Sequence, residues 1–319
     1  MCLFKPGKMW ELAYKASDKI RLDIYLHQLI KMLSRAQIQQ LIKEMYIQVN
    51  NEVKKPNYIL REGDIITGII PKQEGETKLS PWEKPLNILH QDKDIIVINK
   101  ESGIVVHPGA GNIGNTLANA LTHHFPNLSA VGNPLRPGIV HRLDKETNGI
   151  LVIARTQHAY LNLAEQFANR KVQKKYYALV WGTPQKISDT ISLPIGRDKY
   201  DRKKISYNTK KPRFALTKYS LIESSIYFSL LDIEIKTGRT HQIRVHLASL
   251  HHPIVGDKIY GGCNWNRIKS QPLSDRIKRM NIFGLQAYYL GFWHPSNNSW
   301  IDFSIPINDS FKELLSLTN

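Results

Sequence analysis

Hydrophobic residues recur at helical spacing in the first part of the chain. Residues 23–33 have the pattern of a first helix, and Ser34 with Gln37 has the spacing of a capping box that would begin a second one. The apolar positions of the second helix fall at i, i+3, i+4 and i+7 and share one face; they are Ile38, Leu41, Ile42 and Met45. The basic residues Arg35 and Lys43 lie on the opposite face, so they are candidates for contact with an acidic partner.

Short strands are predicted after these helices. Residues 46–49 and 64–70 are rich in β-branched residues and are separated by turn-forming ones. Two helices followed by short strands predict a small α+β domain over residues 18–71, whereas residues 1–17 show no clear pattern. The alternative is a helical hairpin with a solvated face. Residues 72–85 are polar and bounded by prolines, which predicts a linker.

From residue 86 to residue 319, strand patterns are frequent and helical patterns are scattered. Apolar runs predict strands at 94–99, 139–140, 149–154, 176–180, 228–235 and 300–305. Helical spacing predicts helices at 116–123, 158–168 and 240–250. Because strands and helices do not alternate regularly and no repeat is present, the pattern predicts an α+β domain with a mixed, mostly antiparallel sheet.

The charge of the chain narrows the choice of partner. Lys and Arg total 44 against 27 Asp and Glu, which gives a net charge of +17 and predicts attraction to a polyanion. The sequence has no uninterrupted apolar run of membrane-spanning length and no leader pattern, so we expect a cytoplasmic protein that binds nucleic acid and no membrane. Cys2 and Cys263 form no CxxC pair, which argues against a disulfide framework and a zinc knuckle.

Asp144 is the first candidate for chemistry. It lies between Arg142 and Lys145, in a polar turn that separates the predicted strands 139–140 and 149–154. A carboxylate that a rigid scaffold presents on a turn suits nucleophilic or general-base work. The alternative is an Asp that caps the turn and pairs with Arg142.

Tyr176 and two arginines are the next candidates. Period-two alternation puts Tyr176 and Tyr177 on opposite faces of a strand, so one of them can line a cleft, although most strand aromatics pack in a core. Arg239 and Arg244 lie at the start of the predicted helix 240–250. An arginine buried beside a carboxylate would form a bidentate pair and hold it ionised, so we expect such a pair with the candidate carboxylate.

Metal and cofactor sites are not predicted. His241, His246 and His251 are spaced by five, which spreads them around a helix instead of forming the i, i+4 pair of a zinc site. The sequence contains no Walker-type loop, no GxGxxG after a strand and no carboxylate cluster spaced for magnesium. The chemistry is therefore expected to depend on protein side chains alone, with no cofactor and no metal.

Residues 197–213 carry eight basic and two acidic residues, with Tyr200 and Tyr207 between them. This composition is typical of a segment that follows phosphates and offers rings for stacking, and the alternative is a solvated charged loop. The basic residues that we single out as RNA-binding candidates along the chain are Arg35, Lys43, Arg142, Lys203, Lys204 and Arg239.

Several motifs together resemble the RluA family of pseudouridine synthases. They are His-Arg-Leu-Asp-Lys at 141–145 with Thr147 and Gly149, Gly-Arg-Thr-His-Gln-Ile-Arg at 238–244, His-Pro-Ile-Val-Gly-Asp at 252–257, and Val-His-Pro-Gly-Ala-Gly-Asn at 106–112. The N-terminal region resembles the S4 RNA-binding module. The sequence departs from the usual family pattern at Glu101, Glu146 and Gln286.

The resemblance implies that the chain isomerises uridine to pseudouridine in structured RNA, with a pseudouridine synthase fold over residues 86–319. By motif match, Asp144 would be the catalytic aspartate, Tyr176 the active-site aromatic and Arg244 the arginine partner of Asp144. The expected substrate is large-subunit ribosomal RNA or its assembly precursor, with transfer RNA as the alternative. Two other functions stay open from the sequence: a non-catalytic RNA-binding or ribosome-assembly factor, and a nucleoside glycosidase. A monomer is the expected oligomeric state.

Overall fold

The computed structural model describes residues 4, 7–16, 18–30, 33, 35–71, 79–109, 111–201, 204–262 and 264–318. The chain divides into two compact units, Met1–Thr77 and Lys78–Asn319. The first half of the predicted linker, 72–78, lies outside the described residues, as does Ser34, the proposed helix cap. None of the described helices combines the length and the apolar character needed to cross a bilayer.

Unit 1 is a three-stranded antiparallel sheet with two helices. Its elements are β1 (Met9–Ala13), α1 (Leu22–Leu29), α2 (Arg35–Lys43), β2 (Ile47–Val49) and β3 (Ile65–Ile69). The strand order is β1-β3-β2, so β3 is central. The sequence analysis missed β1, because alternation over so short a segment is a weak signal. The fully buried side chains of this core include Leu22, Leu26, Ile38, Ile42 and Ile66.

Two details of the predicted helices are wrong. The first helix ends at Leu29, because the backbone of Ile30 leaves the helical region with φ −96° and ψ 69° while its side chain stays buried in the core. The second helix ends at Lys43, and Met45 is 65% exposed with a left-handed backbone, so it does not join the predicted apolar face.

Unit 2 contains a nine-stranded sheet and two short hairpins. Its strands are β4 (Ile88–Gln91), β5 (Ile95–Lys100), β6 (Gly132–Asn133), β7 (Arg136–Pro137), β8 (Asn148–Ala154), β9 (Gln173–Trp181), β10 (Ser188–Ile191), β11 (Gly196–Arg197), β12 (Ile205–Ser206), β13 (Thr217–Ser224), β14 (Phe228–Ile235), β15 (Leu285–Trp293) and β16 (Trp300–Ser304). Its α-helices are α3 (Leu117–His124), α4 (Gln157–Ala168), α5 (Gln242–Ser249), α6 (Gln271–Arg279) and α7 (Asp309–Ser316), and two 3₁₀ helices span Pro126–Ala130 and Asn264–Arg267.

The large sheet has the order β10-β13-β14-β9-β15-β8-β5-β4, with β16 on β15. Among the described pairings, β15 with β8 is parallel and the others are antiparallel, so the predicted α+β class with a mostly antiparallel sheet is confirmed. The central strands are buried on both faces because their apolar residues run without interruption. The predicted strand at 139–140 is wrong, since Ile139 makes a single bridge to Ile153.

Because each unit has its own buried apolar cluster, we predict that a fragment of residues 79–319 folds without unit 1. Its thermal unfolding should stay cooperative, with a midpoint within about 4 °C of the transition that unit 2 shows in the full chain. For a domain of this size, 4 °C corresponds to a change of about 1–2 kcal/mol in the free energy of unfolding. Its affinity for RNA should fall. Circular dichroism and filter binding measure the two quantities, and an unfolded fragment would contradict the prediction.

Candidate active site

The candidate residues lie together in a cleft of unit 2. It is formed by the loop before β8, strand β9, the turn between β14 and α5, and the first turns of α5. The lining residues that matter for the chemistry are Asp144, Thr147, Tyr176, Gly238, Arg239, His241 and Arg244. The structure therefore brings together three segments that the sequence analysis selected separately.

Asp144 lies on the loop that leads into β8, with its side chain 17% exposed. The ammonium group of Lys100 holds this loop in place by donating to the carbonyl oxygen of Lys145 at 3.2 Å. It also donates to the carbonyl oxygen of Ile104 at 3.0 Å. Burial lowers the pKa of Lys100 to about 8. Gly149, with φ +129°, follows the loop, and a Cβ atom there would lie 2.2 Å from the carbonyl oxygen of Ala287, so the parallel strands need a glycine at this position.

Arg244 is buried and binds two carboxylates. Its Nη1 donates to Oδ2 of Asp144 at 3.2 Å, while Nε and Nη2 donate to the two carboxylate oxygens of Asp257 at 2.7 and 2.8 Å. The expected bidentate pair with Asp144 is wrong, because Asp257 takes the two-point contact. Burial by itself would raise the pKa of the Asp257 carboxyl. Arg244 and the backbone N–H groups of Ile259 and Tyr260 have a larger opposite effect, so the pKa is lowered overall. Asp257 thus fixes the guanidinium, which leaves Nη1 for Asp144.

Tyr176 lies in the middle of β9 and is 9% exposed. It is paired across to Ile233 on β14 and to Ala287 on β15, so the strand is held from both sides. Burial, with a contribution from the Asp144 charge, raises the pKa of the phenol, which therefore stays protonated. Tyr177 points to the opposite face, where its ring stacks on that of Tyr288 at 3.9 Å.

His241 lines the cleft, although the sequence analysis argued against it as a metal ligand and gave it no role beyond its place in the 238–244 motif. Its Nε2 lies 3.8 Å from Oδ2 of Asp144, and its Nδ1 lies 2.8 Å from the hydroxyl oxygen of Tyr260. His246 is fully buried on α5, with its ring nitrogens 2.9 Å from Thr217 Oγ1 and from the carbonyl oxygen of Leu193. His241 therefore belongs to the cleft, whereas His246 is buried outside it.

A different group of side chains has the spacing of metal ligands in the described part of the chain: Asp92, Asp94 and His294. Their atoms already bond within the protein. Asp92 accepts from the backbone N–H groups of Asp94 and Ile95 at 2.7 and 2.8 Å, and Asp94 accepts from the hydroxyl of Ser296 at 2.6 Å. The group therefore ties the start of β5 to the end of β15 and its following turn.

The positions that depart from the family pattern have local partners. Gln286 is buried on β15; its amide donates to the carbonyl oxygen of Pro306 and accepts from the N–H of Asn308, both at 2.9 Å. Glu101 pairs with Lys84 at 2.7 Å. Glu146 is exposed. Each of these side chains is paired or solvated, and none of the three lines the cleft around Asp144.

The candidate RNA-binding residues lie in three places. Arg142 is exposed and Arg239 half-buried, and both line the cleft. Lys204 is exposed beside the β11–β12 hairpin, whereas Lys203 lies outside the described residues. In unit 1, Lys43 and Arg35 are exposed, but the Arg35 guanidinium also donates to the buried carboxylate of Asp23 at 3.0 Å. Arg35 therefore has a structural contact as well as an exposed surface.

Reversing one charge of the hairpin tests its contact with RNA. Lys204→Glu should weaken RNA binding about tenfold. It should also make the negative slope of log K against log salt less steep by about 1, because one phosphate contact and its counterion release are lost. Lys312→Glu, on the exposed face of α7, is the matched control and should leave the slope unchanged. Filter binding over a salt series measures both, and an unchanged slope for Lys204→Glu would remove the hairpin from the binding surface.

Comparison with known proteins agrees with this fold and cleft. The model of the RNA pseudouridylate synthase family matches residues 94–249, and that of the S4 domain matches residues 20–66. An RNA pseudouridine synthase from Aquifex aeolicus is 41% identical over 306 residues, which cover 94% of each chain. A ribosomal large subunit pseudouridine synthase D from Xanthomonas campestris is 38% identical over 297 residues, which cover 93% of this chain and 88% of the relative.

Among solved structures, human RNA pseudouridylate synthase domain containing 1 is similar, with a TM-score of 0.58 and 25% identity over 78% of this chain and 91% of that one. The chain belongs to the RNA pseudouridine synthase family, and it carries an S4 domain at its N-terminal side. It is therefore an isomerase that acts on uridine in RNA. The family inferred from the sequence motifs is confirmed.

Proposed function

We propose that this enzyme converts uridines of large-subunit ribosomal RNA, or of its assembly precursor, to pseudouridine, with Asp144 as the catalytic aspartate. The contact of Arg244 Nη1 with Asp144 at 3.2 Å, in a cleft that Tyr176 also lines, is the observation that carries this proposal. Relatives named ribosomal large subunit pseudouridine synthase D, 35–38% identical over most of the chain, support the choice of RNA. We also propose that the enzyme acts in the cytoplasm.

The reaction needs groups that the cleft supplies. The bond between N1 and C1′ must break, the base must turn, and C5 must bond to C1′, while nothing is oxidised or reduced. The carboxylate of Asp144 assists either by attacking C6 of the uracil or by attacking or stabilising C1′. Arg244 Nη1 donates to that carboxylate and orients it. Tyr176 offers a fixed ring against which the base can pack.

Access to the base has an energetic cost. A uridine stacked in structured RNA must flip out of its stack, which costs roughly a few kcal/mol. The net charge of +17, with Arg142 and Arg239 beside the cleft, supplies phosphate contacts that offset this cost. We assign part of that binding to the S4 domain, with its exposed Lys43.

Unmodified transcripts labelled with tritium at uridine C5 test the proposal. The enzyme should release tritium to water from large-subunit ribosomal RNA and release no free uracil, because isomerisation removes only the C5 proton. Release from transfer RNA transcripts alone would overturn the choice of substrate. Free uracil would instead indicate a glycosidase, and binding without release from either RNA would indicate a non-catalytic factor.

A further inference from the structure

Formation of pseudouridine requires a group that takes the proton from C5. The described residues that line the cleft offer few acceptors. Tyr176 is a protonated phenol whose pKa is raised by burial, and Arg239 and Arg244 are permanent cations. Asp144 is engaged with carbon in the proposed function. The remaining candidate among these lining residues is the imidazole of His241.

The imidazole lies next to the carboxylate of Asp144. Its Nε2 is 3.8 Å from the carboxylate oxygen Oδ2 of Asp144, the same oxygen that Arg244 contacts. If Asp144 reacts at C6, the neighbouring ring atom is C5. If it acts at C1′, C5 is the atom that bonds to C1′. By either route, C5 comes within reach of a base that lies beside this oxygen.

Tyr260 can fix the tautomer of the imidazole. The backbone N–H of Ile205 donates to the hydroxyl oxygen of Tyr260 at 3.0 Å, and Nδ1 of His241 lies 2.8 Å from the same oxygen. A hydroxyl oxygen has two lone pairs, so it can accept from the second N–H as well. Uptake of a proton by Nε2 requires the tautomer in which Nδ1–H donates to Tyr260, because Nε2, 3.8 Å from Asp144 Oδ2, then carries a lone pair.

The surroundings keep this imidazole neutral. Burial lowers the pKa of His241, and the charges of Arg244 and Arg142 lower it further, although Asp144 and Asp257 oppose them. A neutral imidazole at neutral pH is available as a base.

The backbone at His241 is unusual as well. Its φ of 54° lies in the left-handed region, directly before helix α5. Residues other than glycine rarely adopt this conformation, and strain of this kind concentrates at functional sites. At His241 this conformation turns the side chain toward the cleft, so that Nε2 faces Asp144 and Nδ1 faces Tyr260.

We propose that His241 accepts the C5 proton of the isomerising uracil through Nε2, and that Tyr260 is the positioning residue that holds the required tautomer. This inference rests on the proposed role of Asp144. The proton moves from C5 to Nε2, and the electron pair of the C5–H bond becomes the C5=C6 double bond. On the C6 route the C6–O bond breaks at the same time and releases the Asp144 carboxylate, whereas on the C1′ route the electrons of the N1=C6 bond return to N1. N1, which has lost its bond to C1′, takes up one proton, so the step needs no oxidant, reductant or additional reactant.

His241→Gln and His241→Ala test the inference on an RNA transcript that the wild-type enzyme modifies. We expect kcat to fall by about 10²-fold or more, the range for a general base, with KM within a few-fold. With uridine deuterated at C5, the isotope effect on kcat should increase over that of the wild type, because C5–H cleavage becomes slower than the other steps. Imidazole in the buffer should restore part of the rate of His241→Ala.

His246→Gln is the matched control, since His246 lies on the helix that follows His241 and does not line the cleft, and its isotope effect should equal that of the wild type. Tyr260→Phe should lower kcat less than His241→Gln and also increase the isotope effect. A wild-type kcat for His241→Gln would overturn the inference. A lower kcat with an unchanged isotope effect and no rescue would also overturn it, because the histidine would then only orient Asp144. A wild-type enzyme that releases no tritium would contradict the proposed function itself.

Discussion

Replacing Asp144 by asparagine should lower the single-turnover rate of pseudouridine formation by roughly 10⁴- to 10⁶-fold, the loss typical when a catalytic nucleophile or its equivalent is removed. Asparagine keeps the size of the side chain and an oxygen that can accept from Arg244 Nη1. It removes the negative charge and the nucleophilic oxygen, on which both chemical routes depend. The folded structure should change little, because Asp257 holds the Arg244 guanidinium by two contacts that do not depend on Asp144.

The measurement combines tritium release with RNA binding. Asp144→Asn should bind the transcript within a few-fold of the wild type and release no tritium above background. Glu146→Gln is the matched control, since Glu146 is an exposed carboxylate on the same loop and its loss should leave the rate within about twofold. Wild-type tritium release by Asp144→Asn would remove Asp144 from the chemistry, whereas equal losses in both variants would indicate a disturbed loop.

Strands of the catalytic unit could be predicted where one physical effect dominates. Residues 228–235 form β14 with the predicted bounds, because their apolar residues recur at strand spacing on both faces and are buried there. Helix α4, Gln157–Ala168, also begins within one residue of its predicted start, where Thr156 accepts from the N–H of Ala159 as its cap. Strand β1 could not be predicted, because its partner β3 lies more than fifty residues away and nothing local specifies the pairing.

The sequence predicted which residues form the site but not the contacts between them. Asp144, Tyr176 and Arg244 were selected from separate segments, and the fold places them in one cleft. The motif around Asp257 was part of the family resemblance, but its two-point contact with Arg244 depends on how a turn packs against α5. The place of His241 depends on a left-handed backbone, which residue spacing does not reveal.

Removing the Arg244 side chain should produce the largest loss of stability in the site. In Arg244→Met, the carboxylate of Asp257 stays fully buried without its cation, which costs about 3–5 kcal/mol of unfolding free energy. The activity should fall as well, because Asp144 loses its donor. Arg244→Lys keeps the charge, but one ammonium group cannot bridge two carboxylates with the geometry of a guanidinium, so it should recover stability in part and little activity.

The pH dependence of this loss has a defined direction. In the wild type the folded-state pKa of Asp257 is lowered, so the stability it contributes is present above its ordinary pKa of about 4 and is lost as pH falls through the folded-state value. In Arg244→Met, burial without the guanidinium raises that pKa, and the carboxyl is protonated at higher pH. The difference in unfolding free energy between the two proteins should therefore be largest near pH 7 and shrink toward pH 4 in urea titrations.

A double variant separates stability from chemistry. Arg244→Met with Asp257→Asn removes the unpaired buried charge but keeps an oxygen for the backbone N–H groups of Ile259 and Tyr260, which donate to Asp257 Oδ1 at 2.9 and 3.1 Å. It should recover much of the lost stability and none of the activity, because the donor to Asp144 is still absent. Recovery of both would mean that Arg244 only supports the fold. Recovery of neither would mean that the guanidinium packs against Tyr260 and Phe283, whose ring centroids lie 5.1 and 5.3 Å away, more strongly than it pairs with Asp257.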